Sequence, residues 1–246
     1  TLWYVSAAMD EFRGREHDDN GRSGLFAVDT KTGAVTVRAI LPDTGNKQVL
    51  GDIVLAGDDT ILLADQADGV IYRYMISSGE FSTVVERGAI TSPQGIVLDE
   101  SGAYLYVADY VGGLYRAHVE TGAVEKVAAL ATASDYGIDG LYRHGNRLIA
   151  IQNGIQPNRV VEFELSDDGA AIVAGRILAM NLPEFDDPNL GEIVGDDFVF
   201  IANSHWPRFD REFNLPKDLE GPVVMRLSLR RSVPTPPDRT SSSPRF

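Results

Sequence analysis

Short runs in which apolar and polar residues alternate fill most of the chain, and Gly, Asp and Thr separate them. A typical stretch, residues 103–127, reads AYLYVADYVGGLYRAHVETGAVEKV. A period of two residues predicts β-strands with one face buried, and the Gly and Thr-Gly positions between the runs predict tight turns. The pattern therefore predicts an all-β protein.

The alternating pattern repeats along the chain. Residues 51–86 and 94–127 align almost element by element, residues 139–172 follow the same plan, and residues 189–229 follow it with a long insertion. In each unit an apolar run is followed by an alternating strand and by two more strands, so we expect four strands per unit. A repeated four-stranded unit is typical of a β-propeller blade.

The polar residues that close the second strand of each unit give the period of the repeat. They are Asp65, Asp109, Asn153 and Asn203, at steps of 44, 44 and 50 residues. This spacing is typical of propeller blades. The alternative is a long β-sandwich or solenoid built from the same hairpins, which the period disfavours because solenoid repeats are usually shorter.

The propeller is predicted to extend over residues 1–229. Residues 2–8 followed by 24–40 match only the later three strands of a unit, so we count about five units, the first incomplete. We expect that an upstream piece of the chain has been lost or cleaved.

Three segments interrupt the repeat. Residues 9–23 and 206–220 are polar insertions, and insertions between propeller strands lie at the rim, where they can cover a site. Residues 230–246 hold ten Ser, Thr and Pro in 17 positions, so we predict a disordered C-terminal tail.

Composition and charge exclude several functions. The chain has no Cys, which rules out disulfides, thiolate metal sites and a cysteine nucleophile. Its net charge is −14, a field that repels phosphate backbones and anionic lipid headgroups, and no apolar run is long enough for a membrane helix. We therefore expect neither nucleic acid nor a membrane as a partner, but a small-molecule substrate; localisation and oligomeric state are not determined.

Polar residues open the first strand of each unit. They are Asp52, Gln94, Asp139 and Asn189. The first strands of propeller blades run along the central channel, so we expect these four side chains to face one another at one channel mouth. A ring of oxygen donors suits a hard cation, Ca²⁺ before Mg²⁺. The alternative is that these polar residues only solvate a water-filled channel and cap strand ends.

The residues that close the second strands have a simpler expected role. An Asp or Asn before a Gly-containing turn usually hydrogen-bonds its own turn, although Asp109 and Asn153 remain candidates to reach the site. The four histidines, His17, His118, His144 and His205, have no metal-ligand spacing, and no serine lies in a G-x-S-x-G context.

Three segments resemble a known family. Residues 92–116 (SPQGIVLDESGAYLYVADYVGGLYR), 137–154 (GIDGLYRHGNRLIAIQNG) and 191–206 (GEIVGDDFVFIANSHW) resemble the gluconolactonase and regucalcin (senescence marker protein) group of calcium-dependent six-bladed propellers. More distantly they resemble the paraoxonase and strictosidine-synthase propellers. The resemblance covers nearly all of residues 2–229 and implies a six-bladed propeller whose N-terminal blade is missing or incomplete here.

The resemblance implies a divalent cation, usually calcium, at the channel mouth, where it polarises a lactone carbonyl. Asp139 matches the family's metal-binding Asp, which is also the proposed base for the attacking water. Gln94 stands where the family has Asn, and Asp52 stands where a further Asn is common. Asn189 is an additional ligand candidate, and the family's first-blade Glu has no counterpart in this chain.

These features predict a metal-dependent hydrolase of lactones or related esters. Asp139, or alternatively Asp109, accepts the proton of the attacking water. Asn153, Gln156 and Arg159 are the candidates to bind substrate hydroxyls or a carboxylate. The alternative is a non-catalytic propeller whose channel site is structural and whose rim loops bind a protein or a sugar.

Overall fold

The computed structural model of the protein describes residues 1–12, 14, 16 and 19–230. These residues form strands in five sheets and no α-helix. The strands of the first two sheets are β1 (Leu2–Ala7), β2 (Ser23–Val28), β3 (Val35–Ile40), β4 (Leu50–Leu55), β5 (Thr60–Asp65), β6 (Val70–Met75) and β7 (Glu80–Val85). The third and fourth sheets contain β8 (Pro93–Leu98), β9 (Tyr104–Asp109), β10 (Gly113–His118), β11 (Val124–Lys126), β12 (Ile138–His144), β13 (Arg147–Gln152), β14 (Arg159–Leu165) and β15 (Ile172–Met180). The fifth contains β16 (Gly191–Val194), β17 (Asp197–Ile201) and β18 (Val224–Ser228), with a 3₁₀ turn at Trp206–Arg208 before β18.

Each sheet is an antiparallel meander of strands in chain order. The second, third and fourth sheets have four strands, and within the described residues the first and fifth have three. The inner strands β4, β8, β12 and β16 contact one another in that order. This arrangement is the predicted β-propeller of about five units; a sixth blade is not among the described residues and stays a prediction.

The second strands explain why the core lies between the sheets. Alternate residues of β5 point to opposite neighbours: Ile61 and Leu63 pack in the core with the first sheet, whereas Leu62 and Ala64 pack in the core with the third sheet. Strands β9 and β13 divide their residues in the same way. A strand buried on both faces reads as a nearly continuous apolar run, as ILLA and LIAI do.

Two glycines allow the inner strands to approach closely. A Cβ on Gly95 of β8 would lie 2.8 Å from the carbonyl oxygen of Asp139, and a Cβ on Gly140 of β12 would lie 2.6 Å from the carbonyl oxygen of Asn189. These distances are too short for a side chain, so β8 presents bare backbone to β12, and β12 presents bare backbone to the segment that leads into β16. The openings of these strands are thereby brought to one end of the channel.

Two sequence predictions concern residues that the structure does not describe, namely His17 and the tail from residue 231 onward. Arg230 is described, and its Nε donates to Oδ2 of Asp196 at 3.1 Å. In the described part of the chain no helix is long and apolar enough to cross a membrane.

Candidate functional site

A cavity of about 780 Å³ opens at the channel mouth where the inner strands begin. All four residues of the predicted ring line it: Asp52, Gln94, Asp139 and Asn189. The fold therefore brings together side chains that are distant in sequence, since Asp52 and Asn189 are 137 residues apart. Their roles as metal ligands stay predictions, because placement alone does not test them.

Asp139 is held at the start of β12 by a chain of hydrogen bonds. Asn153 Nδ2 donates to Oδ2 of Asp139 at 2.7 Å, and the Tyr110 hydroxyl donates to Oδ1 of Asn153 at 3.0 Å. Among the described residues no hydrogen bond reaches the second carboxyl oxygen, Oδ1 of Asp139. Burial raises the pKa of Asp139 to about 6, the Asn153 hydrogen bond lowers it, and the charge of Asp187 raises it.

Asp52 lies between two inner strands rather than in the plane of the ring. Its Oδ2 accepts from the backbone N–H of Ile96 on β8 at 2.8 Å, and its Oδ1 accepts from the N–H of Ile53 at 2.8 Å. Burial raises the pKa of Asp52 to about 7, although these two N–H groups lower it, and the charge of Asp139 raises it.

A one-residue shift accounts for this position of Asp52. Leu50, Pro93 and Ile138 pair with the last residues of β5, β9 and β13, and a bulge follows each of them. The next residues along are Gly51, Gln94 and Asp139, so Gly51 is the true equivalent of Gln94 and Asp139. Asp52 instead matches Gly95 and Gly140, whose position faces the neighbouring strand.

Sequence reasoning missed Asp187, which also lines the cavity. Oδ2 of Asp187 accepts from the Ser204 hydroxyl at 2.7 Å, and its backbone has a positive φ of 62°. Burial raises the pKa of Asp187 above its ordinary value, the Ser204 hydrogen bond lowers it, and the charge of Asp186 raises it. Asp187 precedes β16 and has no repeat equivalent, so its only sequence signal was an acidic pair two residues before Asn189.

The amide side chains of the ring have local partners as well. Nε2 of Gln94 donates to the Ser92 hydroxyl at 3.2 Å, and Oδ1 of Asn189 accepts from the N–H of Leu190 at 2.6 Å. Asn189 lies two residues before β16 begins. The side-chain oxygen of Gln94 and the second lone pair of Oδ1 of Asn189 therefore remain available to accept a hydrogen bond or to bind a cation in the cavity.

Asp109 is placed in a turn and not in the cavity. Its carboxyl accepts from the N–H groups of Thr91 (3.0 Å), Ser92 (3.2 Å) and Val111 (3.2 Å), and the residue is buried. Asp65 accepts from Val49, Ala67 and Asp68 in the same manner. The geometry matches the turn role expected for strand-closing Asp residues and does not bring Asp109 to the predicted site.

The third residue of this set is Gln152 and not Asn153, which the repeat spacing predicts. By register Gln152 is the equivalent of Asp65 and Asp109, because it pairs with Ile138 as they pair with Leu50 and Pro93. Asn153 follows the strand and lines the channel cavity beside Asp139. An assignment from spacing alone cannot separate two adjacent polar residues.

Gln156 and Arg159 lie away from the channel cavity. Gln156 is exposed, and its Nε2 donates to Oδ1 of Asn158 at 2.9 Å. Arg159 lines a different cavity, beside the fourth sheet. Of the three predicted substrate-binding residues, only Asn153 lies where a substrate in the channel would contact it.

Both polar insertions reach the cavity with apolar side chains. Met9 and Phe12 of the first insertion and Trp206 of the second line it, as do Trp3 and Leu190. Apolar side chains therefore line this cavity together with the carboxylates and amides. Among the described residues no group of three or more His, Cys, Asp or Glu could hold a metal ion, so any cation needs amide oxygens as well.

The fold is shared with several solved structures. Virginiamycin B lyase from Staphylococcus aureus is 16% identical with a TM-score of 0.52, over 73% of this chain and 55% of that one. A proposed 6-phosphogluconolactonase from Bacteroides fragilis is 14% identical with a TM-score of 0.52, over 74% and 58%. Kuenenia stuttgartiensis hydrazine synthase is 15% identical with a TM-score of 0.51, over 76% and 52%.

These likenesses show a β-propeller and nothing finer, because such low identities carry the fold alone. The chain spans between 52% and 58% of the length of these structures. No family model matches the chain, and no curated protein matches it in sequence.

Proposed function

We propose that this protein is a cation-dependent hydrolase of lactones or related esters, with its site in the channel cavity. The observation that supports the proposal is the convergence of Asp139, Asp52 and Asp187 with amide side chains in one cavity. The resemblance to gluconolactonases and the lactonase named among the solved structures favour the same reaction class.

The donor chemistry of the site fits a hard divalent cation. Its side-chain donors are oxygens, and burial raises the pKa of each of the three carboxyls, as expected for acids that lack a compensating positive charge. Asp139 and Asp187 would hold the ion together with the amide oxygens of Gln94 and Asn189, and Ca²⁺ suits such a set. A bound cation would supply Lewis-acid polarisation of the substrate carbonyl.

Asp139 is the residue suited to activate water. Asn153 fixes its Oδ2, which leaves Oδ1 free to accept a proton from a water molecule. Burial raises the pKa of Asp139 to about 6 in the metal-free protein, and a bound cation would lower it, so Asp139 would be ionised at neutral pH and could orient the attacking water. The apolar side chains of Trp206 and Phe12, which line the cavity, would contact the substrate ring and exclude solvent from it.

The test is hydrolysis of small sugar lactones, followed as acid release. We expect activity that a chelator abolishes and that Ca²⁺ restores, and we expect Asp139→Asn to lower kcat/KM by about a hundredfold or more. Asp58→Asn, at an exposed turn residue, is the matched control. Equal hydrolysis by the chain and by Asp139→Asn would overturn the mechanism.

The second candidate function is a non-catalytic binding module. The observation that favours it is Asp52, whose two carboxyl oxygens already accept from backbone N–H groups and therefore serve to join β4 to β8. Under this function Ca²⁺ would stabilise the protein but no lactone would be hydrolysed, whereas under the first function both effects would occur.

A further inference from the structure

A second cavity of about 780 Å³ lies beside the fourth sheet, between the segment 129–136 and strands β14 and β15. It exists because β11 has only three residues, whereas β7 has six and β15 has nine. The third sheet therefore ends early, and the chain after β11 crosses the gap to the fourth sheet without filling it. This cavity shares no lining residue with the channel cavity.

Arg159 is held in this cavity by a hydrogen bond to Gln152, whose own side chain is fixed by further hydrogen bonds. Its Nε donates to Oε1 of Gln152 at 2.8 Å, its partner across the strand pair. Gln152 is fully buried, and its Nε2 donates to the carbonyl oxygens of Ser134 at 2.9 Å and Tyr136 at 2.7 Å. The side chain that orients Arg159 is thus fixed on three sides, which preorganises the guanidinium.

The outer end of Arg159 has no partner among the residues that the structure describes. Within the described part of the chain no carboxylate lies within ion-pair distance of Arg159, and only its Nε has a hydrogen bond. The other charged residues of the cavity are compensated: Arg176 Nη2 lies 3.3 Å from Glu162, and Asp135 accepts from the N–H of Leu114 at 2.9 Å and lies 3.8 Å from Lys126 Nζ. An unpaired guanidinium is unexpected in a chain of net charge −14.

Apolar side chains form the rest of the cavity. Val161 and Phe163 of β14 are buried beneath it, Leu130 and Ala133 of the crossing segment face them, and Ile177 of β15 lies at the opening, 49% exposed. A ligand that filled this space would place an apolar group against these residues and its polar end at Arg159.

We propose that this cavity binds a small monocarboxylate that carries an apolar group. With its Nε occupied by Gln152, Arg159 still presents Nη1 and Nη2, whose fork matches the two oxygens of a carboxylate. Because Arg176 and Asp135 are already paired, Arg159 leaves a single uncompensated positive charge among the described residues of the lining, which suits a monoanion better than a dianion such as a phosphate monoester. The proposal does not depend on the proposed function, since the two sites are separate.

The adjacent residues Gln152 and Asn153 separate the two sites. Gln152 braces Arg159 in the side cavity, and Asn153 holds Asp139 in the channel. The affinity for a ligand that binds through Arg159 should therefore not change when Asp139 is replaced. The Asp139→Asn variant is thus a control for the binding experiment.

The experiment is a calorimetric titration of the protein with phenylacetate, with neutral phenylacetamide as its uncharged match. We expect saturable binding of phenylacetate at one site and binding of phenylacetamide that is about tenfold weaker or more, as the loss of a charged hydrogen bond requires. Arg159→Gln should weaken phenylacetate binding by about tenfold or more, and Arg159→Lys by less.

Three variants locate the binding site. Arg176→Gln, at the paired arginine of the same cavity, should change the affinity by less than about threefold, and Asp139→Asn should leave it unchanged. Ile177→Trp enlarges a side chain that lines the cavity and leaves Arg159 unchanged. It should abolish binding, so the proposal can still be tested if Arg159→Gln folds poorly. Absence of saturable binding, or equal affinity in the chain, Arg159→Gln and Ile177→Trp, would overturn the proposal.

Discussion

At the scale of single residues, the carboxyls of the channel cavity are costly to ionise. Burial raises the pKa of Asp52 to about 7 and that of Asp139 to about 6, and the charge of Asp139 adds to the rise at Asp52. Between the pKa of an unfolded Asp and these values, the folded chain binds more protons than the unfolded chain. Stability contributed by these groups therefore falls as pH rises from about 4 to about 7.

Replacing Asp139 by Asn should remove part of this pH dependence. In the presence of a chelator we expect Asp139→Asn to be more stable than the parent chain at about pH 8, by on the order of 2 kcal/mol, and to lose most of this advantage at about pH 4. Urea unfolding at the two pH values measures the difference. Asp58→Asn, at an exposed turn, should follow the parent at both, and an identical pH dependence in Asp139→Asn and the parent would contradict the assignment.

The residue scale also shows where sequence reasoning stops. The places of Gln94, Asp139 and Asn189 at the channel mouth could be predicted because the repeat marks where each inner strand begins, whereas Asp52 lies one position beyond the ring position. Asp187 could not, since it lies in an irregular segment with no equivalent in the other units. Arg159 is only six residues from Asn153 in sequence, but it pairs with Gln152 and lines the side cavity, whereas Asn153 lines the channel cavity.

At the scale of strands, the alternating pattern predicts which segments pair but not their exact register. Each of β4, β8 and β12 has a bulge near its start, and a bulge shifts every later residue by one position. The bulge is common to the three strands and leaves their alignment with one another unchanged. The connections to the second strands differ in length (residues 56–59, 99–103 and 145–146), so a count back from the second strand misplaces Asp52 by one position. Gln152 and Asn153 are adjacent polar residues that the spacing alone does not separate.

The close approach of the inner strands makes a sharp prediction about Gly95. An added methyl group would lie 2.8 Å from the carbonyl oxygen of Asp139 and would also contact the N–H of Leu141, so β8 and β12 would have to separate. We expect Gly95→Ala to cost about 2 kcal/mol or more in the free energy of unfolding. Gly221→Ala, where a methyl group would meet nothing within 4 Å, should change it by about 0.5 kcal/mol or less. Similar unfolding curves for the two variants would show that the inner strands are not packed as described.

At the scale of the whole molecule, the negative charge and the channel carboxyls act together. The chain carries 36 acidic against 22 basic residues, so repulsion opposes folding and a multivalent cation is attracted generally. A specific site differs from this general attraction because it saturates and because it depends on particular residues. The propeller places Asp139 and Asp187 in one cavity, so replacing these two residues separates binding at a specific site from general attraction of the cation.

Calcium should therefore raise the melting temperature of the chelator-treated protein in a saturable way. At about a hundred times the dissociation constant, binding adds about 2.7 kcal/mol, which for a chain of this size corresponds to roughly 5–10 °C. The double variant Asp139→Asn with Asp187→Asn should lose this increase, whereas Asp58→Asn with Asp167→Asn, which removes the same charge at exposed positions, should keep it. Differential scanning calorimetry at fixed ionic strength measures both. An equal rise in the two double variants would mean that calcium binds outside the channel, because only the first pair removes carboxylates from the cavity.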